Sequence, residues 1–252
     1  MRNLYVCGII KTQNVQLKRG KKLKINFNPD FSRLKKTDIA VIVAVVLVFV
    51  SFLVAVKMLS DTVEKHYDNE IIVCLDAGHG GDDVGAVSAD GQRYEKDDNL
   101  TLTLKVSEEL EELGVKTVLT RDSDEAVSLK DRCKKANKKR CDLFVAIHRN
   151  SSPTGTGVEA WISKREKDDE KTTAKTLVSE LSTVMGIADR GVKNGYRDKT
   201  ANNYYINANT NMPSILLEVG FITSEEDNAA FDENIDQMAE KIAKVIYDSL
   251  QN

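Results

Sequence analysis

The sequence predicts an α/β domain, a mainly parallel sheet with helices on either side, preceded by a single transmembrane helix. Three observations carry that expectation. Beyond residue 70, strand-like and helix-like segments alternate, as in a parallel sheet with its crossovers. The strand-like runs, of which Ile71, Ile72, Val73, Cys74 and Leu75 are the first, are apolar without alternation, which suits strands covered on both faces. Residues 39–56, IAVIVAVVLVFVSFLVAV, contain Ser51 as their one polar residue.

Residues 1–38 read as a basic tail. Residues 1–60 hold 11 Lys/Arg and 2 Asp/Glu, which leaves 25 basic and 37 acidic residues, a net of −12, for the rest of the chain. The overall net charge of −3 therefore hides two opposite parts. Met58 and Leu59 extend the apolar run beyond Lys57, giving a span over 39–59. A helix of about 20 residues, rising about 1.5 Å per residue, crosses the hydrocarbon core. Its β-branched content disfavours a helix in water, but in lipid every backbone group must bond within the segment, so helix wins. A cleavable signal peptide is the rival reading; the run exceeds that segment's usual length of about 7–15 residues and no A-x-A site follows. An uncleaved signal anchor is the expectation, with the bilayer as partner through 39–59. All the Lys and Arg of this stretch except Lys57 precede the span, so the N-terminus is expected in the cytoplasm and the C-terminal part outside. Residues 60–70 read as a polar linker, with His66 a solvated residue of it. No nucleic acid is expected as a partner.

Residues 71–252 then form one domain. Strands are expected over 71–76, 115–119, 143–147, 157–162 and 215–219, and helices over 98–113, 126–139, 171–185 and 235–250. Cys74 falls in the first strand. Cys133 and Cys141 meet only if a helix turns back between them, so they are expected as free small hydrophobes. No CxxC pair supplies a thiolate zinc site.

Polar residues collect at the strand ends. The first strand ends in Asp76 and breaks into a glycine-rich turn that carries His79. Neither GxGxxG nor GK[ST] is present, so that turn does not read as a phosphate cradle. His148 is the first polar residue after the run 144–147, and Glu218 places a carboxylate inside SILLEVGF. A buried carboxylate needs a partner, a shifted pKa or a cavity. Two imidazoles and a carboxylate are a ligand set for hydrolytic zinc, which keeps one position for water. By spacing, the third ligand stays open among Asp82, Asp83, Glu95, Asp97 and Asp98. Glu218 then reads as the general base that takes a proton from water and returns it to the leaving amine. A Ser-His-Asp site is disfavoured, because His79 and His148 are the domain's two histidines and GxSxG is missing.

The blocks LDAGHGG, YEKDDNL, LTRDSDEAVSLKDRCKKANKKRCDLFVAIHRNSS and MPSILLEVGFITSEEDN occur in this order. Together they resemble the zinc-dependent N-acetylmuramoyl-L-alanine amidases of the amidase-3 family, from about residue 71 to 250. The resemblance implies a twisted, mainly parallel sheet with an open groove over one Zn2+ per domain. It also implies ligands His79, Glu95 and His148, and Glu218 as catalytic glutamate. The activity implied is hydrolysis of the amide between N-acetylmuramic acid and L-alanine in peptidoglycan. A non-catalytic wall scaffold and a zinc peptidase cutting within the stem peptide are the alternatives, and an activating protein partner is possible but not indicated. Arg149 stands where the family has a small residue; strand alternation turns it away from the metal, and a surface role is expected. Asn150 and Ser151, at the strand–loop junction, serve the turn or bond glycan or peptide, with Asn150 the substrate-contact candidate. Asp76 is expected to orient the turn, Arg121 and Arg132 to pair with carboxylates, and Trp161 to pack in the core. Tyr204 and Tyr205 are expected to form a groove wall or an amphipathic strand.

Overall fold

A computed structural model describes residues 35–67, 70–165, 167–197 and 203–251, without the side chains of 60–67. Most of the basic tail, Cys7 and the His66 side chain lie outside the described residues. The chain divides into two units, Met1–Asp68 and Asn69–Asn252.

The first unit is described from helix α1 (Lys36–Tyr67). Its apolar side chains over 39–59 are exposed, and Lys36–Leu59 is long and apolar enough to cross a membrane. Ser51, the polar residue of that run, turns its hydroxyl back on the Leu47 carbonyl at 2.7 Å, so no donor is left open. The stretch expected as a linker is helical through Tyr67. No Gly or Pro interrupts the residues after Leu59, so nothing local ends the helix at the apolar boundary.

The second unit contains β1 (Ile72–Ala77), α2 (Glu95–Glu112), β2 (Lys116–Leu119), α3 (Leu129–Lys139), β3 (Leu143–Asn150) and β4 (Val158–Ile162). It continues with α4 (Asp168–Met185), β5 (Asp189–Asn194), α5 (Tyr205–Asn209), β6 (Ser214–Phe221) and α6 (Glu225–Leu250). The strands form one sheet in the order β2-β1-β3-β6-β4-β5, parallel throughout except where β4 meets β6.

Helices cover both faces, and the period of two along each strand decides which side chain meets which layer. Val73, Leu75, Val145, Ile147, Leu217 and Val219 pack into the larger core with residues of α2, α4 and α6. Their neighbours Cys74, Phe144, Ala146 and Leu216 pack into a smaller core with Cys133 and Ala136 of α3 and Ile206 of α5. Cys74, Cys133 and Cys141 are free and buried, as small hydrophobes.

Helices α2, α4 and α6 begin earlier than their apolar stripes, whereas α3 begins at Leu129, after the Ser128 cap. Helix α6 starts ten residues before the stripe at Ile235 because Ser224 caps it, accepting from the Asp227 amide at 3.2 Å, ahead of an acidic first turn. Strand β5, DRGVKN, is polar and lies at the sheet edge, where only one side needs pairing. The NNYYIN stretch contains a short helix, α5, rather than a strand.

Candidate metal centre

The site forms where β1, β3 and β6 end side by side. His148 on β3 is the register partner of Glu218 on β6, and both share the face of the smaller core by alternation from Phe144, Ala146 and Leu216. Beyond Glu218, the antiparallel partner on β4 is Glu159. His79 reaches the same place from the turn after β1, with φ at 61°, a left-handed conformation that non-glycine residues rarely take.

Two buried arginines hold that turn. Arg132 Nη1 donates to Asp76 Oδ1 and to the Ala77 carbonyl, both at 2.6 Å, and Nη2 donates to the His79 carbonyl at 2.7 Å. Arg121 donates to the carbonyls of Ala77 at 2.9 Å and Gly78 at 3.0 Å. Asp76 orients the turn as expected, accepting also from Thr120 Oγ1 at 2.5 Å, and Arg132 pairs with it. For Arg121 the expectation changes: its hydrogen bonds go to carbonyls, because consecutive carbonyls bend away from sheet pairing where β1 ends. Glycine is required at two positions here. A Cβ on Gly78 would run into the His148 ring, and one on Gly85, at φ 69°, would lie 2.7 Å from Glu95 Oε2.

Glu95 is the first residue of α2, where the helix N-terminus favours an anion. Its Oε1 lies 2.8 Å from His148 Nδ1 and 3.2 Å from His79 Nε2, and accepts from the Arg149 amide at 3.2 Å. Its Oε2 accepts from the Ala86 amide at 2.8 Å. The imidazole rings stand edge to face, 5.1 Å apart. One ligand atom from each of His79, Glu95 and His148 falls within 4.8 Å of the others, the span that a single metal ion bridges. Two nitrogens and one carboxylate oxygen suit zinc, with a coordination position left over.

The other four carboxylates have different places. Asp83 lies behind His79, with Oδ2 2.9 Å from Nδ1, where it fixes the tautomer that turns Nε2 inward. Asp98 is bound to Arg93 and Arg149. Asp82 and Asp97 are not part of the group.

Charge states follow the packing. Burial works against ionisation of Glu95, but the two imidazoles outweigh it and hold the carboxyl below the ordinary range. Burial likewise pushes His79 down, and Glu95 with Asp83 brings it up to about 9. Glu218 is raised to about 7, chiefly by burial. Its Oε2 is buried with no hydrogen-bond partner, and Oε1 has Arg197 Nη2 at 3.6 Å. A cavity of about 550 Å³ opens over these groups, with Leu129, Arg197, Tyr204, Tyr205 and Ile206 among its lining residues. Tyr204 and Tyr205 are thus groove wall.

Residues 73–252 match the protein family described as N-acetylmuramoyl-L-alanine amidase. The chain belongs to this amidase family. The sporulation-specific N-acetylmuramoyl-L-alanine amidase of Bacillus subtilis is 36% identical over 155 residues, 62% of this chain and 58% of that protein. This chain therefore matches less than two thirds of that relative's length. The crystal structure of an N-acetylmuramoyl-L-alanine amidase from Clostridium difficile 630 superposes with a TM-score of 0.66 at 34% identity, covering 73% of this chain and 98% of that one. The CwlD amidase of Clostridioides difficile, solved in complex with the GerS lipoprotein, gives 0.59 at 32% identity, covering 72% and 97%. The family's reaction is hydrolysis of the N-acetylmuramoyl-L-alanine amide of peptidoglycan, and this chain is an amidase of that kind.

One amidase residue stands apart from its expected place. Arg149 does turn away from the triad, but into the larger core rather than to solvent, with 2% of its surface exposed. It binds Asp98, donates to Asn228 Oδ1 at 2.6 Å and lies 4.4 Å from the centre of the Phe231 ring. Alternation gave its direction; the helix layer on that face is what buries it. Asn150 is buried at the end of β3, where Oδ1 accepts from the Ser151 amide at 2.8 Å and from Arg197. Trp161 is core, its Nε1 donating to Glu159 Oε1 at 3.0 Å. The loop from 151 to 157 contains no helix, so no insert between β3 and β4 covers the triad. Sequence reasoning passed over Arg190, Lys193 and Arg197, cations of the polar edge strand and the segment after it that carry no apolar pattern.

Proposed function

We propose that the chain is a zinc-dependent amidase anchored in the cell membrane, with its catalytic domain on the cell-wall side. The observation that carries the zinc reading is the His79, Glu95 and His148 donor set beside a buried carboxylate, Glu218, with one oxygen unpartnered. His79, Glu95 and His148 would hold the ion. When bound, zinc supplies Lewis acidity that polarises the scissile carbonyl and lowers the pKa of water toward about 7.

The remaining work falls to the chain. Glu218 Oε2 accepts a proton from the attacking water and donates it to the departing nitrogen of L-alanine, so one group serves as base and then acid. Burial lifts this carboxyl above the ordinary carboxylate range, which eases the return of the proton after it has been taken. Asp83 holds His79 by Nδ1, and the tyrosine wall confines the peptide beside Glu218. Asn150 positions Arg197 at the groove rather than touching the substrate itself. Anchoring rests on Lys36–Leu59, and orientation on the Lys and Arg residues ahead of it.

Mass spectrometry of purified peptidoglycan, digested by the full chain in detergent with zinc and with a chelator control, tests the reading. Free stem peptides beginning with L-alanine, together with exposed lactyl carboxyls, are expected with zinc and absent with chelator. Fragments cut between amino acids would establish a peptidase instead. Intact muropeptides from zinc-loaded protein would leave a scaffold.

A further inference from the structure

Next to the catalytic groove lies a second cavity of about 520 Å³, lined by β4, β5 and the β3–β4 loop. It contains three cations, Arg190, Lys193 and Arg197, and one carboxylate, Glu159. Glu159 is 2% exposed, and burial opposes its ionisation, but Lys193 and Arg190 hold it below the usual carboxylate range. Its Oε2 accepts from Lys193 Nζ at 2.5 Å and Arg190 Nε at 2.8 Å, and its Oε1 is taken by Trp161. One carboxylate neutralises one of these cations, so the cavity keeps a positive excess.

The cationic heads are also held in place. Arg190 stacks 5.0 Å from the Phe221 ring centre, and Lys193 Nζ lies 5.4 Å from that of Trp161. Arg190 and Lys193 side chains are 37% and 35% exposed, so both remain open to a ligand. Arg197 lines this cavity and the groove over the triad alike, which joins the two.

Across the sheet, His148 on β3, Glu218 on β6 and Glu159 on β4 are register partners in turn, and Lys193 on β5 pairs with Trp161, two residues along β4 from Glu159. Two strands away at about 4.8 Å each and two residues along at about 3.3 Å each, Lys193 stands roughly 12 Å from the base. An extended peptide covers that distance in about three to four residues. We propose that this cavity is an anion subsite that binds a carboxylate of the stem peptide, on the leaving side of the scissile amide, through Arg190 and Lys193. The inference rests on the amidase reading for the identity of the peptide, while the site itself stands on the cation cluster.

Binding to the full chain in detergent tests it without turnover. Three probes are titrated calorimetrically: a synthetic stem tripeptide with free carboxylates, the same peptide with every carboxylate converted to carboxamide, and N-acetylmuramic acid with its lactyl carboxylate. The free-acid peptide is expected to bind at least about tenfold tighter than the carboxamide, equivalent to about 1.4 kcal/mol. Lys193→Gln and Arg190→Gln, each made alone so that Glu159 keeps one cation, are expected to remove most of that difference. Lys193→Arg is expected to restore it, which a merely structural effect of Lys193→Gln would not allow. Equal affinity for the two peptides, or discrimination unchanged in both Gln variants, overturns the subsite. Binding of N-acetylmuramic acid that these variants abolish, with the peptides undiscriminated, overturns the stem-peptide assignment. Turnover of peptidoglycan by the same protein is measured separately. Cleavage without discrimination sinks the subsite alone, and discrimination without cleavage sinks the amidase reading alone.

Discussion

Glu95 and Glu218 face the same cavity and are buried almost equally, at 4% and 6% exposure, yet their protons behave in opposite ways. Glu95 sits at a helix N-terminus, accepts from two backbone amides and meets two imidazoles, and its carboxyl stays below the ordinary range. Glu218 ends up near 7, with one oxygen free of any partner and a cation 3.6 Å from the other. Burial is common to both; the partners differ. The structure fixes one carboxylate as an anion that holds position and leaves the other able to gain and lose a proton, the division of labour that acid–base chemistry near neutrality requires.

The largest effect is expected on the fixed side. His148→Ala removes one of three donors, and the protein should be purified without stoichiometric zinc and without detectable turnover; atomic emission showing full occupancy would sink the ligand assignment. On the proton-carrying side, Glu218→Gln keeps the shape and loses the acceptor. A drop in kcat of about 10²- to 10⁴-fold is expected, with zinc content unchanged. Normal cleavage by that variant would mean that the base is another group.

Support for the fixed side comes from behind it, through two buried arginines of different kinds. Arg149→Leu leaves Asp98 buried with only Arg93, and a loss of about 3–5 kcal/mol in unfolding free energy is expected by denaturant titration of the second unit's transition. An unchanged midpoint would show that Asp98 is satisfied without it. Arg132→Gln removes the donors to the His79 and Ala77 carbonyls and leaves the left-handed His79 less constrained. Zinc affinity is expected to fall about 10- to 100-fold in competition with a chromophoric chelator. Wild-type affinity would show that the turn holds its shape without that guanidinium.

How much of this was legible follows the same division. The strands could be read because runs such as 71–75 and 144–147 are buried on both faces and need no polar alternation, and His148 and Glu218 broke those runs visibly. Glu95 was one of five carboxylates by spacing, and only the order of family blocks singled it out. Helix starts before the apolar stripe, as in α6, were hidden because caps and acidic turns lie outside the pattern. The polar β5 was invisible for a related reason: an edge strand has fewer neighbours to satisfy, and its cations matter through Glu159 on another strand. The direction of Arg149 could be read from alternation, but its burial depended on a helix layer brought over that face by α2 and α6, far away in sequence.

The smallest expected effect probes the free side alone. Arg197 lies 3.6 Å from Glu218 Oε1 but is half exposed, so solvent screens much of its attraction. Glu218 works as a base only when deprotonated, so kcat/KM should rise with pH through its pKa. Burial raises that pKa to about 7, and a cation held at the neighbouring triad would stabilise the carboxylate and put the limb lower. Arg197→Gln removes a stabilising positive charge, so the limb should move the other way, upward by about half a pH unit. The pH profile of kcat/KM on a soluble muramoyl peptide measures it. A downward shift would contradict the sign, and no shift would mean that Arg197 acts on the substrate and not on the base.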